Sequence, residues 1–178
     1  MQKYYLTFIL VLFCTIQKVS AQKFGYVDTK FILNKIPEYK EAQSELNQMA
    51  DAWEKEIKEK YQELDRLYTE LKAEEVLLTE DMLFERKEAL KMKEDSVREY
   101  NNKVFGYEGL YFLKKQELIK PIQDKVFDAV EKVAQEQRLQ VLFDKSGSLV
   151  LIYTNPIHDY TDYVLEELGL GDPSDQIR

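Results

Sequence analysis

The chain has 178 residues, and its 33 acidic side chains outnumber the 25 lysines and arginines, for a net charge of −8. This excess of negative charge argues against a nucleic-acid-binding protein, because such proteins contact phosphates through cationic surfaces. The acids are spread along the chain rather than grouped in one block, which is typical of solvated helix faces.

The first 21 residues have the three-part pattern of a cleaved signal peptide. Lys3 supplies positive charge, the apolar run from Leu6 to Ile16 is too short for a membrane span, and Ser20 and Ala21 are small. We expect cleavage near Ala21, with a retained membrane anchor as the alternative. Cleavage removes the only cysteine, Cys14, together with two lysines and no acid, so the net charge of −8 becomes −10. The mature chain then has no thiol chemistry.

A short strand and a long helix follow. Alternation in FGYV, residues 24–27, predicts the strand, and a short helical stretch from Phe31 to Ile36 ends at Pro37. From Glu38 to about Glu75 the chain has no glycine or proline, and apolar residues recur every three or four positions. This period predicts one helix, about 57 Å long at 1.5 Å per residue.

A second long helix is predicted to begin after Thr79, an N-cap residue followed by Glu80 and Asp81. Its apolar positions lie seven residues apart, at Leu83, Leu90, Val97, Val104, Tyr111 and Leu118. The seam, meaning the line of apolar contact between the two helices, should be narrow near the turn. There, basic residues take the core positions that lie between the residues of the seven-residue repeat. The two helices form an antiparallel hairpin with its tip near residues 76–81. The apolar tip sequence VLLTEDMLF packs locally against itself or contacts a partner.

The stretch KVFGYEGLYF combines helix breakers with aromatic rings. Gly106, Gly109 and, further on, Pro121 disfavour a straight helix. We expect the arm to bend there as a hinge, its root lying near residues 103–121. The rings pack the seam, face a partner, or do both.

The remaining residues predict a β-hairpin, with VLF from Val141 to Phe143 and LVLIYT from Leu149 to Thr154 joined by the turn DKSGS. A short helix follows from His158 to Leu170. The predicted fold is α+β, with a signal peptide at 1–21, a β-rich body at 22–37 and 138–178, and a helical arm at 38–137. A body this small leaves apolar strands partly uncovered, so we expect a homo-oligomer.

Three stretches resemble the OmpH/Skp family of periplasmic chaperones. They are FGYVDTKFIL with PEYKEAQSEL, LIKPIQDKVFDAVEKVAQEQRLQVLFDKSG, and HDYTDYVLEELG. The resemblance implies a periplasmic homotrimer in which a β-rich body carries three helical tentacles. These would hold unfolded outer-membrane proteins without ATP. The alternative is a structural or adaptor coiled-coil protein that binds one folded partner.

One feature departs from the family, whose best-known members have basic tentacles. From Glu38 to Lys103 there are 19 acids against 12 bases. We therefore do not extend membrane-surface or lipopolysaccharide binding from the family to this chain. No cofactor and no metal site is expected, and nothing in the sequence predicts an enzyme, since His158 is the only histidine. The residues expected to contact clients are Phe84, Tyr100, Phe105, Tyr107 and Tyr111. Those expected to mediate assembly are Tyr26, Val27, Val141, Phe143, Val150 and Ile152.

Overall fold

The computed structural model describes residues 22–148 and 151–171. The predicted signal peptide lies outside these residues. In chain order the elements are strand β1 (Phe24–Val27), helices α1 (Thr29–Lys35) and α2 (Pro37–Glu74), a 3₁₀ turn (Glu75–Leu77), helices α3 (Glu80–Phe105) and α4 (Leu110–Glu136), strand β2 (Val141–Asp144), a second 3₁₀ turn (Pro156–His158) and helix α5 (Thr161–Glu167).

Local capping sets where the helices begin. The Asp28 side chain accepts a hydrogen bond from the backbone N–H of Phe31 at 2.8 Å and so starts α1. Pro37 occupies the first turn of α2, where its missing N–H has no cost. Thr79 Oγ1 accepts from the N–H of Met82 at 3.3 Å, and Glu80 and Asp81 begin the first turn of α3. The predicted start of the second long helix is therefore confirmed.

The outer part of α2 and the whole of α3 form the antiparallel arm. Ile57 and Leu64 of α2 are buried, as are Leu90 and Val97 of α3. No residue between Leu64 and Leu90 is buried, so the seam lacks a closed apolar core over the distal third of the arm. Between the helices there, beside Leu67 and Leu71, lies a gap of about 160 Å³.

The main hydrophobic core lies where both chain ends meet the helices. Helices α1, α4 and α5 pack together with the first three turns of α2, and β1 contributes Val27. Residues with almost no exposed surface include Ile32, Leu46 and Val164. The core also takes residues from the range that the sequence pattern assigned to the arm: Ala42, Leu46, Ile119, Ile122, Val126, Ala129 and Val133. The body is therefore largely helical, and the sheet covers one side of it.

The sheet differs from the predicted hairpin. β2 pairs in parallel with β1, in a register from Phe24 opposite Val141 to Val27 opposite Asp144. Residues 151–154 are not in a strand, and residues 149–150 lie outside the described part of the chain. Parallel pairing requires a long crossover connection, which the helices between the strands supply. On its other edge, β1 accepts a hydrogen bond at the Tyr26 carbonyl from the N–H of Tyr160, at 2.9 Å.

A polar cluster fastens the end of β2 to the start of α1. The Asp144 carboxylate accepts hydrogen bonds from Thr29 N (3.2 Å), Thr29 Oγ1 (2.7 Å), Ser146 N (3.0 Å) and Ser146 Oγ (2.8 Å). Burial raises the pKa of Asp144, but these hydrogen bonds outweigh burial and leave the pKa below its usual value. The turn DKSGS is thus tied to residues more than 100 positions earlier, which favours the parallel pairing over a hairpin.

Candidate client-binding and assembly surfaces

The helix break lies at the two glycines. α3 ends at Phe105, and α4 begins at Leu110 after Gly109. A Cβ at Gly106 would collide with the backbone oxygen of Asn102, and one at Gly109 with that of Val104. Between the glycines, Glu108 adopts a positive φ of 52°, a conformation uncommon for residues with a side chain. The chain can therefore turn this sharply only with glycine at both positions.

Pro121 does not interrupt the helix. It lies inside α4, which is continuous from Leu110 to Glu136, and its ring is on an exposed face. The carbonyl of Glu117, four residues earlier, has no N–H partner at Pro121, and water can satisfy it on that face. The structure thus separates Pro121 from the two glycines with which the sequence grouped it as a hinge.

Aromatic side chains gather beside the break, and we call Trp53, Phe105, Tyr107 and Tyr111 the aromatic cluster. The Trp53 and Phe105 rings meet edge to face, with centroids 6.4 Å apart, and Phe105 and Tyr111 are 6.0 Å apart. Tyr107 projects from the loop and is 96% exposed. The rings therefore both pack the seam and offer apolar surface to a partner, because Phe105 is itself partly exposed.

Tyr100 is less available for client contact than the sequence suggested. Its hydroxyl donates a 2.6 Å hydrogen bond to Glu56 across the arm, and the Lys60 ammonium lies 5.2 Å from its ring centroid. The hydrogen bond to Glu56 raises the pKa of Tyr100, and the same bond lowers the pKa of Glu56. Nearer the tip, Tyr68 donates to Glu94 at 2.9 Å, and Lys93 pairs with Glu63. These polar contacts hold the arm together where apolar burial decreases.

The arm tip is apolar and uncovered. Val76 and Leu77 are 89% and 82% exposed, and Phe84, which the sequence marked for client contact, is 66% exposed. The tip residues therefore do not pack against one another as one reading of the sequence predicted. Leu78 and Leu83 are partly covered. The rest of the tip is available to a partner.

The sheet has one apolar face that no helix in the described part of the chain covers. The register places Val141 beside Phe24 and Phe143 beside Tyr26, opposite the face that contacts the helices. Phe24, Val141 and Phe143 are 52%, 48% and 38% exposed. We call these three residues the body surface, together with three exposed residues of the segment at 151–158: Tyr153, which lines a groove with Phe24 and Phe143, and Ile152 and Ile157 from the same segment. The last three are even more exposed, Ile152 at 98%. A groove of about 320 Å³ runs between the strands and the segment at 151–158.

The predicted assembly residues divide into two groups. Val141, Phe143 and Ile152 lie on the body surface, whereas Tyr26 and Val27 are buried within one chain. Lys145 lies over the Tyr26 ring, 5.9 Å from its centroid, and Val27 packs into the helical core. Only Val27 supports the sheet from the helical side, whereas Tyr26 lies on the same face as Phe24 and lines the groove beside the segment at 151–158. Val150 lies outside the described residues.

Sequence reasoning missed Phe24, Tyr153 and Ile157 on the body surface, whereas the apolar tip sequence that includes Val76 and Leu77 was noted as a candidate for partner contact. The alternation that predicted β1 could have identified Phe24, because it shares a face with Tyr26. The ring of His158, for which no catalytic role was expected, stacks on Phe24 at 4.7 Å. Nothing comparable marked Tyr153, which lies in irregular backbone, or Ile157, which lies in the second 3₁₀ turn.

The described residues lack two further features. None of the helices in residues 22–148 and 151–171 is both long and apolar enough to cross a membrane. Within the same residues, His, Cys, Asp and Glu side chains form no group of three or more suited to a metal ion.

The fold is of the α+β class: a long antiparallel helical arm extends from a body in which strands from both ends of the chain pair. The chain belongs to the OmpH-like family: the family model described as "Outer membrane protein (OmpH-like)" matches residues 23–168. This confirms the resemblance in the sequence. A search of the curated proteins found no match.

Among solved structures, the chain is similar to a candidate outer membrane chaperone (OmpH-like) from Caulobacter crescentus CB15. The TM-score is 0.62 at 17% sequence identity, and the alignment covers 89% of this chain and 92% of the other. At this level of identity the likeness concerns the fold.

Proposed function

We propose that this protein is an ATP-independent holdase of the periplasm, secreted by a signal peptide cleaved near Ala21. It would act as a homotrimer whose arms surround unfolded outer-membrane proteins and prevent their aggregation. Family membership and the chaperone description of the Caulobacter protein support a chaperone role. Neither requires a cofactor or catalysis, and we propose none.

The observation that carries the proposal is the body surface. Phe24, Val141, Phe143 and Ile152 expose apolar area on a single chain, and burying such area contributes about 25 cal/mol per Å². Covering it with sister chains would place several arms around one space. The aromatic cluster, beside the break in each arm, would then supply several weak apolar contacts that act together on one client.

Assembly is tested by light scattering on the mature protein. We expect three times the chain mass for the wild type and a lower mass for the double variant Val141→Ser with Ile152→Ser. Leu113→Ser is the control, since Leu113 of α4 is about as exposed as Val141 but is not part of the body surface, and this variant should remain trimeric. A folded single subunit at micromolar wild-type concentration would overturn the proposal.

Client binding is tested by diluting an unfolded outer-membrane β-barrel protein from urea and following its aggregation by light scattering without nucleotide. The wild type should suppress aggregation near one trimer per client. Tyr107→Ser should weaken suppression, whereas Tyr107→Phe, which keeps the ring, should not. Because Tyr107 is almost fully exposed, neither substitution removes packing within the chain. An adaptor for one folded partner would leave all such clients to aggregate.

A further inference from the structure

The arm tip combines apolar exposure with a distinct charge environment. α2 ends at Glu74, the 3₁₀ turn spans Glu75–Leu77, and α3 begins at Glu80. This short connection turns Val76 and Leu77 outward, away from the seam. Helical spacing places Phe84 one turn from Glu88 and two turns from Met92, and Phe84 and Met92 are both well exposed. We define the tip patch as Val76, Leu77, Met82, Phe84 and Met92.

Carboxylates surround this patch. Residues 74–93, which span the patch, contain six acids, Glu74, Glu75, Glu80, Asp81, Glu85 and Glu88, against the four bases Arg86, Lys87, Lys91 and Lys93, and Lys93 is paired with Glu63. Lys87 is already paired with Glu75 at 3.2 Å. Glu80 and Glu88 lie four residues before and after Phe84, and no cation of the described residues forms an ion pair with either. Acids therefore outnumber bases around the apolar side chains, and the carboxylates of Glu80 and Glu88 on either side of Phe84 are not paired within the described residues.

We propose that the tip patch is a docking site for cationic, apolar chain segments, in which lysine or arginine alternates with large apolar residues. Apolar contact with Val76, Leu77 and Phe84 would supply the attraction, and the flanking carboxylates would select the charge. A second tip carries the same negative charge, and an anionic membrane is repelled as well. This inference assigns a partner chemistry to one surface of the proposed chaperone, and it therefore rests in part on the proposed function.

The test uses the full mature chain and two fluorescent peptides of equal length, one of leucine and lysine and one of leucine and glutamate. Anisotropy at physiological salt should show the cationic peptide binding about tenfold tighter or more. The triple variant Val76→Ser, Leu77→Ser, Phe84→Ser should lose about tenfold in affinity. The control Phe84→Leu, which keeps apolar surface, should change affinity by less than about threefold.

A charge variant separates the two contributions. Glu80→Gln with Glu88→Gln should weaken the cationic peptide about three- to tenfold and reduce its salt dependence. Equal affinity for both peptides, or unaltered binding by the triple variant, would overturn the inference. Binding of anionic lipid vesicles through the tip patch would indicate a membrane as the partner, and a fall in oligomer mass on tip substitution would indicate a second tip. Either result would also overturn the inference.

The aggregation assay on the same variants distinguishes this inference from the proposed function. If the wild type fails to suppress client aggregation but still prefers the cationic peptide, the holdase proposal fails and the tip site remains. If suppression is normal while peptide preference is missing, only the tip site is lost.

Discussion

The carboxylate of Asp144 offers the sharpest test of how the two chain ends are joined. It accepts four hydrogen bonds, three at Oδ1 and one at Oδ2, from Thr29 and Ser146. Asp144→Ala removes all four at once; the backbone N–H groups of Thr29 and Ser146 must then find water, while the two hydroxyls keep the 2.9 Å contact with each other. The substitution therefore tests the link between β2 and α1 directly.

The expected magnitude follows from the number of bonds and their partial exposure. Hydrogen bonds to a charged group contribute about 1.5–3 kcal/mol each when shielded, and less where water can replace them. Because Asp144 is half-buried, we expect Asp144→Ala to lower the free energy of unfolding by about 2–4 kcal/mol. Asp144→Asn keeps an acceptor at one position but loses the charge, so its cost should be about 1–2 kcal/mol.

Urea unfolding followed by far-ultraviolet circular dichroism, at one protein concentration, measures these differences. Asp124→Ala is the control, because Asp124 makes an exposed ion pair with Lys120 on α4, and its loss should cost less than about 1 kcal/mol. If Asp144→Ala unfolds at the same urea concentration as the wild type, the polar cluster does not fasten the sheet, and the reasoning is refuted.

Three further predictions concern pH, core packing and the arm. The pKa of Asp144 is lowered in the folded state, so its contribution to the free energy of unfolding is present above the unfolded pKa of 3.8 and is lost as the pH falls through the folded pKa. The difference in stability between the wild type and Asp144→Asn should therefore disappear in acid. A difference that grows in acid would contradict a lowered pKa. Leu46→Ala, at the buried start of α2, should cost about 2–5 kcal/mol in urea unfolding, whereas Leu113→Ala should cost less than about 1 kcal/mol. Backbone amides of residues 65–89, none of them buried, should exchange with deuterium faster than those around Ile57 and Val97, and equal protection would show that the seam is closed to the tip.

Much of the helical architecture could be read locally. Thr79 begins α3 as predicted, since an N-cap depends on the residues next to it. The heptad positions Leu90, Val97 and Val104 are buried, because the period of apolar residues defines which face of a helix meets its neighbour. The thin outer seam was also predictable from the basic residues at Arg86 and Lys93.

The break between α3 and α4 shows where local reading became incomplete. Glycine and proline both lower helix propensity, so Gly106, Gly109 and Pro121 looked equivalent in the sequence. The structure turns the chain only at the glycines, where backbone atoms approach too closely for any Cβ. Pro121 is accommodated because its face of α4 is exposed, and exposure depends on the packing of the whole molecule.

By itself, the sequence determined the two long helices, the turn between them, the strand at residues 24–27 and the acidic character of the arm, because caps, periodicity and charge act over a few residues. That strands from both chain ends share one body was also predicted, but only the tertiary structure decided that β2 pairs with β1 and does so in parallel. It also decided that Tyr26 and Val27 are buried while Phe24 and Ile152 are exposed. Strand pairing and burial depend on contacts between residues more than 100 positions apart, such as Asp144 with Thr29, and no local pattern encodes which distant partner is chosen.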